Sequence, residues 1–302
     1  MRRRSPGFDA AYHTEMTSPH QSHRPVARDV RRRFDRAAQG FDGVDFVYRV
    51  TRDGLLARLA PVVIEAHTVV DLGAATGTAA RTLGKRFRGA RIVNVDFSRP
   101  MLERARSQRR FFRRPAGVQA DARALPFADA GIDVVFSNLM LPWIDDPAAV
   151  FSEVARVLRK DGLFAFASLG PDSLLELRRA WQSVSDAEHV NRFIDMHDLG
   201  DALVHAGLRD PVLDVDRLSV SYRDARSLFD DLTAMGARNS LAGRPRALTG
   251  KQRFSKMLST LFDNGELVLD LELVYGHCWG RGSGTPGGAV RIDAASIPVR
   301  RR

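Results

Sequence analysis

The stretch Val69-Val70-Asp71-Leu72-Gly73-Ala74-Ala75-Thr76-Gly77 constrains this chain more than any other part of it. A short β-branched run enters a turn of small residues, and the residues from Thr78 onward take a helical spacing. Glycine at such a turn permits positive φ, and its missing Cβ lets a ligand approach the backbone closely. The helix start adds N–H groups without intrahelical partners, which suit an anionic ligand group. Asp71 falls at the carboxyl end of the strand, where open α/β sheets bind ligands. A second strand, Arg91 to Val95, leads into Asp96, about 20 residues past the turn, where nucleotide-binding sheets place a ribose-gripping acid.

The alternation continues downstream. Val118 to Ala122 reads as a short third strand carrying another acid, Asp121. Ile132 to Phe136 reads as a buried strand, with Ser137-Asn138-Leu139 at its carboxyl end and Trp143 in the loop beyond. Asp146-Pro147 caps a helix that runs to Leu158, and Asp161-Gly162 turns into a strand from Leu163 to Ala167. Strand and helix in alternation predict an α/β fold with a mainly parallel sheet and right-handed crossovers. Two amphipathic helices, Val26 to Phe41 and Val44 to Leu59, precede the first strand and are placed to cover the mouth of the site.

Beyond Ser168 the order is less regular. A helix from Pro171 to Val184 is followed by a polar loop over 188–193 and a helix from His197 to Ala206. An extended segment over 212–222, helices over 225–237 and 249–262, and a strand from Leu267 to Tyr275 suit an antiparallel edge hairpin. Residues 1–25 and 281–302 lack an apolar period and read as disordered, which leaves one domain over 26–280. Within it, 26–60 form an N-terminal helical cover and 184–262 a helical insertion on the substrate side.

The chain has 302 residues and no apolar run near the ~18 needed to span a membrane. Cys278 is the only cysteine, which excludes an intrachain disulfide and a cysteine-cluster metal site. A cytoplasmic setting is the simplest inference, and neither a metal nor a membrane is expected. The net charge of +10 fits either an acidic partner or a surface written largely in arginine. Arg109, Arg110, Arg113 and Arg114 interleave with Phe111 and Phe112, but a helix end and surface loop explain them as well. No nucleic-acid reading motif is present, so nucleic acid is not expected as a partner.

The turn and its spacing resemble the D-x-G-x-G-x-G loop of class I S-adenosylmethionine (SAM) methyltransferases, with Ala75 where the middle glycine stands. Over Val30 to Trp279 the chain is similar, more narrowly, to the biotin-pathway malonyl-carrier-protein O-methyltransferases. That similarity rests on Phe34-Asp35-Arg36-Ala37-Ala38, Ser137-Asn138-Leu139 with Trp143, and Ser173-Leu174-Leu175-Glu176-Leu177 with Trp181. His189-Val190-Asn191-Arg192-Phe193 and Met235-Gly236-Ala237 with Gly243-Arg244 and Leu248-Thr249 add to it. Phe41 stands where that family commonly has tyrosine. A neighbouring family, the mitochondrial complex I assembly factors associated with arginine hydroxylation, is similar over nearly the same span.

The resemblance implies a Rossmann-like class I methyltransferase fold, SAM as cofactor, and malonyl-acyl carrier protein or malonyl-CoA as methyl acceptor. It places Asp71, Gly73, Ala75, Gly77, Asp96, Asp121, Ala122 and Asn138 around the cofactor. A carboxylate acceptor is already ionised at neutral pH, so no general base is required, and catalysis rests on orientation and exclusion of water. It does require a cationic or hydrogen-bonding clamp. Arg192 and His189 are the first candidates, with Asn138 orienting either partner and Arg178, Arg238 and Tyr222 behind them. Arg31, Arg32, Arg33 and Arg36 are placed to steer an acidic carrier protein. The rival expectations are a methyltransferase for another small molecule and an assembly factor of methyltransferase fold.

Overall fold

The computed structural model describes residues 23–107, 115–245, 249–262 and 267–282. The arginine–phenylalanine cluster over 109–114, Leu248, and the segments 1–22 and 283–302 lie outside the described residues. Seven strands form one sheet in the order β3-β2-β1-β4-β5-β7-β6. These are β1 (Thr68–Leu72), β2 (Arg91–Asp96), β3 (Ala116–Gln119), β4 (Ile132–Asn138), β5 (Leu158–Leu169), β6 (Arg209–Tyr222) and β7 (Leu267–Trp279). β3, β2, β1, β4 and β5 run parallel, and β7 is antiparallel to both β5 and β6.

The helices are α1 (Ala27–Ala37), α2 (Phe46–Arg58), α3 (Thr78–Arg86), α4 (Arg99–Ser107), α5 (Pro147–Val157), α6 (Leu175–Gln182), α7 (Met196–His205), α8 (Ala225–Ala234) and α9 (Lys251–Leu261). The pleat sends successive strand residues to opposite faces. Val70, Val135, Phe164 and Phe166 pack with Val150, Phe151 and Val154 of α5 and Leu199 and Leu203 of α7. Val69, Val134, Phe136 and Ala165 pack on the other face with Leu55 of α2 and Ala79, Ala80 and Leu83 of α3. This explains the near-continuous apolar runs of β1 and β4, which are buried on both faces.

Several boundaries differ from the sequence reading. The third strand lies over Ala116–Gln119, because Asp121 turns back to accept from the Arg123 N–H (2.9 Å) and ends the extended run. α6 begins at Leu175 because Leu174 sits in the left-handed region, with φ of 59°. β6 and β7 are neighbours as expected, but the connection between them carries α8 and α9 and is no tight hairpin. At the N-terminal side, Pro25 already bridges Leu241, so the described chain is tied to the insertion before α1 begins.

Candidate active site

The carboxyl ends of β1, β2 and β4 open into a cavity of about 980 Å³. Its walls include Asp71, Gly73, Ala75, Asp96, Asp121, Ala122 and Asn138, together with Arg52 of α2 and Trp143. Gly73 has φ of 76°, and a Cβ there would lie 2.7 Å from Cβ of Met140. Glycine is therefore needed both for the turn and for the approach of the β4 loop. Gly77, with φ of 73°, does not line the cavity. A Cβ on it would lie 2.7 Å from the Asn94 side chain and 3.0 Å from Ala105, so this glycine holds the turn against β2 and α4.

The loop donors are spent within the fold. The Gly73 and Ala74 N–H groups bond the Val95 carbonyl (2.8 and 3.0 Å), Ala75 bonds Asp96 Oδ2 (2.9 Å), and Gly77 bonds the Ala74 carbonyl (2.8 Å). Of these four only Gly77 borders the helix start; the first residues of α3, Thr78 and Ala79, line the cavity.

Charge enters through carboxylates instead. Asp71 is buried, and its Oδ2 has no hydrogen-bond partner. Burial, then the neighbouring Asp96 charge, raises its pKa to about 7, opposed by the Arg52 guanidinium. Asp96 is raised to about 6 by burial, although the Ser98 and Ala75 N–H groups favour its ionised form. Asn138 donates from Nδ2 to the Tyr48 carbonyl (2.8 Å), and its Oδ1 is buried without a partner. Two unsatisfied buried acceptors, Asp71 and Asn138, beside a cationic Arg52 suit a zwitterionic amino-acid group: ammonium to the acceptors, carboxylate to the guanidinium. Asp96 is placed for ribose hydroxyls. Asp121 lines the far wall, but its carboxylate also binds Arg123 at Nε (3.0 Å) and Nη2 (2.7 Å). These residues fit the methionine, ribose and adenine ends of SAM.

A second cavity of about 1180 Å³ adjoins the first. Tyr48, Leu139 and Trp143 line both. The second cavity is mostly apolar, walled by Leu174, Leu177, Trp181, Leu228, Phe229 and Leu271 among others. Its polar lining includes His189, Asn191, Tyr222, Arg238 and Asn239.

The structure sorts the clamp candidates. His189 lines this cavity and stacks on Trp181, with ring centroids 3.9 Å apart and planes 4° apart. Burial lowers its pKa, which favours a neutral imidazole. Arg192 is not brought to the cavity: its side chain is 59% exposed and pairs with Glu188 at 2.7 Å. Arg178 donates to the Asn191 carbonyl (3.0 Å) and also lies outside the lining. Arg238 does line it, held by Thr233 Oγ1 (2.7 Å) and the Phe229 carbonyl (3.0 Å), with its guanidinium carbon 5.0 Å from the Phe229 ring centroid. Among the described residues no carboxylate forms an ion pair with Arg238, and burial opposes its charge.

Sequence reasoning missed Arg52 and Tyr48. Both lie on α2, four residues apart, and therefore share the helix face that meets the cavity. An arginine one turn from the buried Leu55 was the available signal.

Sheet order, a motif-bearing β1–α3 turn and a cavity fitted to SAM define a class I SAM-dependent methyltransferase. The family described as a methyltransferase domain matches residues 70–166. The YcgJ protein of Bacillus subtilis shares the fold, with a TM-score of 0.55 at 20% identity, covering 76% of this chain and 98% of that one. A malonyl-[acyl-carrier protein] O-methyltransferase of Halorhodospira halophila is 42% identical over 285 residues, 91% of this chain and 96% of the relative. Its counterpart in Gallionella capsiferriformans is 38% identical over 277 residues, 89% and 94% of the two chains. The chain belongs to the malonyl-[acyl-carrier protein] O-methyltransferase family.

Proposed function

We propose that this enzyme methylates the free carboxylate of a malonyl thioester carried on acyl carrier protein, the masking step that opens pimeloyl synthesis for biotin. The observation that carries this reading is the second cavity: a mostly apolar chamber with one pre-oriented guanidinium that forms no ion pair among the described residues, joined to the cofactor cavity through Tyr48, Leu139 and Trp143. Such a chamber suits a flexible arm ending in an anion, and the names borne by the relatives agree. They favour this reading over an assembly-factor role.

SAM supplies a methyl carbon activated by a sulfonium and a neutral thioether as leaving group. The chain's own residues then have three tasks. Asp71, Asn138 and Arg52 would fix the amino-acid end of SAM, and Asp96 the ribose. Arg238 would hold the acceptor by charge-assisted hydrogen bonds, its fork already set by Thr233 and the Phe229 carbonyl. The apolar walls would exclude water from an ionised acceptor that needs no proton removed. A neutral His189 stacked on Trp181 fits a wall that shapes the cavity, with no base required.

Intact-mass analysis of malonyl-acyl carrier protein, with and without SAM, tests the reading. A SAM-dependent gain of one methyl group is the expected result. Protein that binds SAM and leaves the carrier unchanged would overturn the acceptor assignment.

A further inference from the structure

The geometry points to Tyr48 as the group that orients the acceptor carboxylate at the opening between the two cavities. This rests on the reading that the acceptor is a malonyl thioester. Three side chains line both cavities, and Leu139 among them is apolar. Trp143 has a single donor, its indole N–H, which neighbours the Tyr48 hydroxyl. Tyr48 brings a hydroxyl, able to donate as well as accept, to the place where both chambers meet.

The ring is held from several directions. The Phe41 ring packs against it with centroids 5.0 Å apart, and the Tyr48 carbonyl accepts from Asn138 Nδ2 at 2.8 Å. Trp143 in turn meets Phe34 edge-on at 5.4 Å. A donor fixed in this way can bond one oxygen of a carboxylate and leave the other oxygen turned toward the cofactor chamber. In the transfer that oxygen forms its bond to the methyl carbon while the carbon–sulfur bond breaks and its electron pair stays on sulfur. One negative and one positive charge disappear, and no proton moves. Tyr48 remains protonated throughout, in keeping with burial that pushes its pKa above the ordinary phenol value.

The test compares wild type with Tyr48→Phe, which keeps the ring contacts and the backbone bond to Asn138 and removes only the hydroxyl. Three quantities are read: the calorimetric Kd for S-adenosylhomocysteine, the Kd of malonyl-acyl carrier protein on the S-adenosylhomocysteine-loaded protein, and kcat/KM. The expected result is an S-adenosylhomocysteine Kd within about twofold of wild type, carrier binding weakened about tenfold, and kcat/KM lower by about 10–100-fold, the range for a hydrogen bond to a charged group. Trp143→Phe, which keeps an aromatic edge for Phe34, is expected to lose less, about 3–10-fold. An active wild type matched by Tyr48→Phe removes this inference alone. Equal loss of S-adenosylhomocysteine and carrier binding also removes it, since Tyr48 would then be only a wall of the cofactor chamber. A wild type that neither binds nor methylates the malonyl carrier removes the acceptor reading and this inference with it.

Discussion

The two cavities are built from the same sheet by different means. The cofactor cavity takes most of its polar groups from the ends of parallel strands, with Asp71, Asp96 and Asn138 at the carboxyl ends of β1, β2 and β4. The acceptor cavity gathers its walls from α2, the loops after β4 and β5, the ends of β6 and β7, and the helices between those strands. The first carries buried acceptors, on Asp71 and Asn138, that have no partner within the described chain. The second is a mostly apolar chamber in which a single guanidinium, Arg238, forms no ion pair among the described residues. Recognition of SAM is thus written into strand ends that the fold must produce. Recognition of the acceptor is written into packing that only the tertiary structure assembles. Of the six non-glycine residues with positive φ among the described residues, three, Ala75, Leu139 and Leu174, line one or both chambers.

The comparison is broken most severely at Asp71. Asp71→Asn removes the carboxylate proposed to pair with the ammonium of SAM, and SAM affinity is expected to fall at least about 100-fold, as for loss of a buried charge-assisted bond. In wild type the pKa near 7 predicts a pH dependence. The cationic ligand selects the ionised carboxylate, so affinity should rise with pH and level off above about 7, measured by calorimetry from pH 5.5 to 8.5. The sign for stability is opposite. Between the ordinary value of 3.8 and about 7 the folded chain keeps a proton that the unfolded chain has lost, so stability falls as pH rises through that window. Ligand-free Asp71→Asn should therefore be more stable than wild type at pH 8, by on the order of 2–4 kcal/mol, with little difference at pH 4. A variant less stable at pH 8 would mean that Asp71 is already paired in the free protein.

The complementary break is Arg238→Gln. It is expected to raise the KM for malonyl-acyl carrier protein by about 10–100-fold while the SAM Kd stays within about twofold. Loss of SAM binding in step with acceptor binding would show that the two chambers are one unit energetically. Between these two variants the polar work of each chamber is separated, and the comparison becomes quantitative.

Much of the cofactor chamber was legible in the sequence because its signals are local. Val69 to Gly77, the acid about 20 residues later and Asn138 after a buried strand each lie within a few residues of the backbone they shape. Where local reading failed, a specific competitor won. Asp121 bonded its own neighbour Arg123 and shortened the third strand. Gly236, with φ of 71°, ended α8 before the apolar spacing did. β7 ran on to Trp279 because its partner β5 extends as far, which no residue within β7 announces. The acceptor chamber was hidden for a deeper reason. Nothing in the residues beside Arg178, Arg192 and Arg238 says which one faces inward; the packing of α6, α8 and the 188–193 loop decides it.

Gly77→Ala tests a smaller effect within the cofactor half. The added methyl meets Asn94 and Ala105 and sits at φ of 73°, so a loss of about 1–3 kcal/mol in stability is expected from strain and overpacking. Because Gly77 does not line the cavity, SAM affinity of the folded variant should change far less than its Tm. A large loss of affinity at unchanged Tm would instead make this glycine part of the ligand surface.

The smallest effect is expected at Arg192, and it sharpens the contrast with Arg238. Both arginines lie between β5 and β7, but Arg192 spends its charge on Glu188 at the surface, whereas Arg238 forms no ion pair among the described residues. Exposed ion pairs contribute about 0–1 kcal/mol. Arg192→Gln should therefore leave kcat and both affinities within about twofold of wild type at ordinary salt. A tenfold rise in acceptor KM would mean that the 188–193 loop turns inward when the carrier arm enters, breaking the Glu188 pair and bringing a second guanidinium to the anion. Repeating the measurement with Glu188→Gln decides between the two: a pair that only decorates the surface leaves acceptor KM unchanged, whereas a pair that restrains an inward swing lowers it.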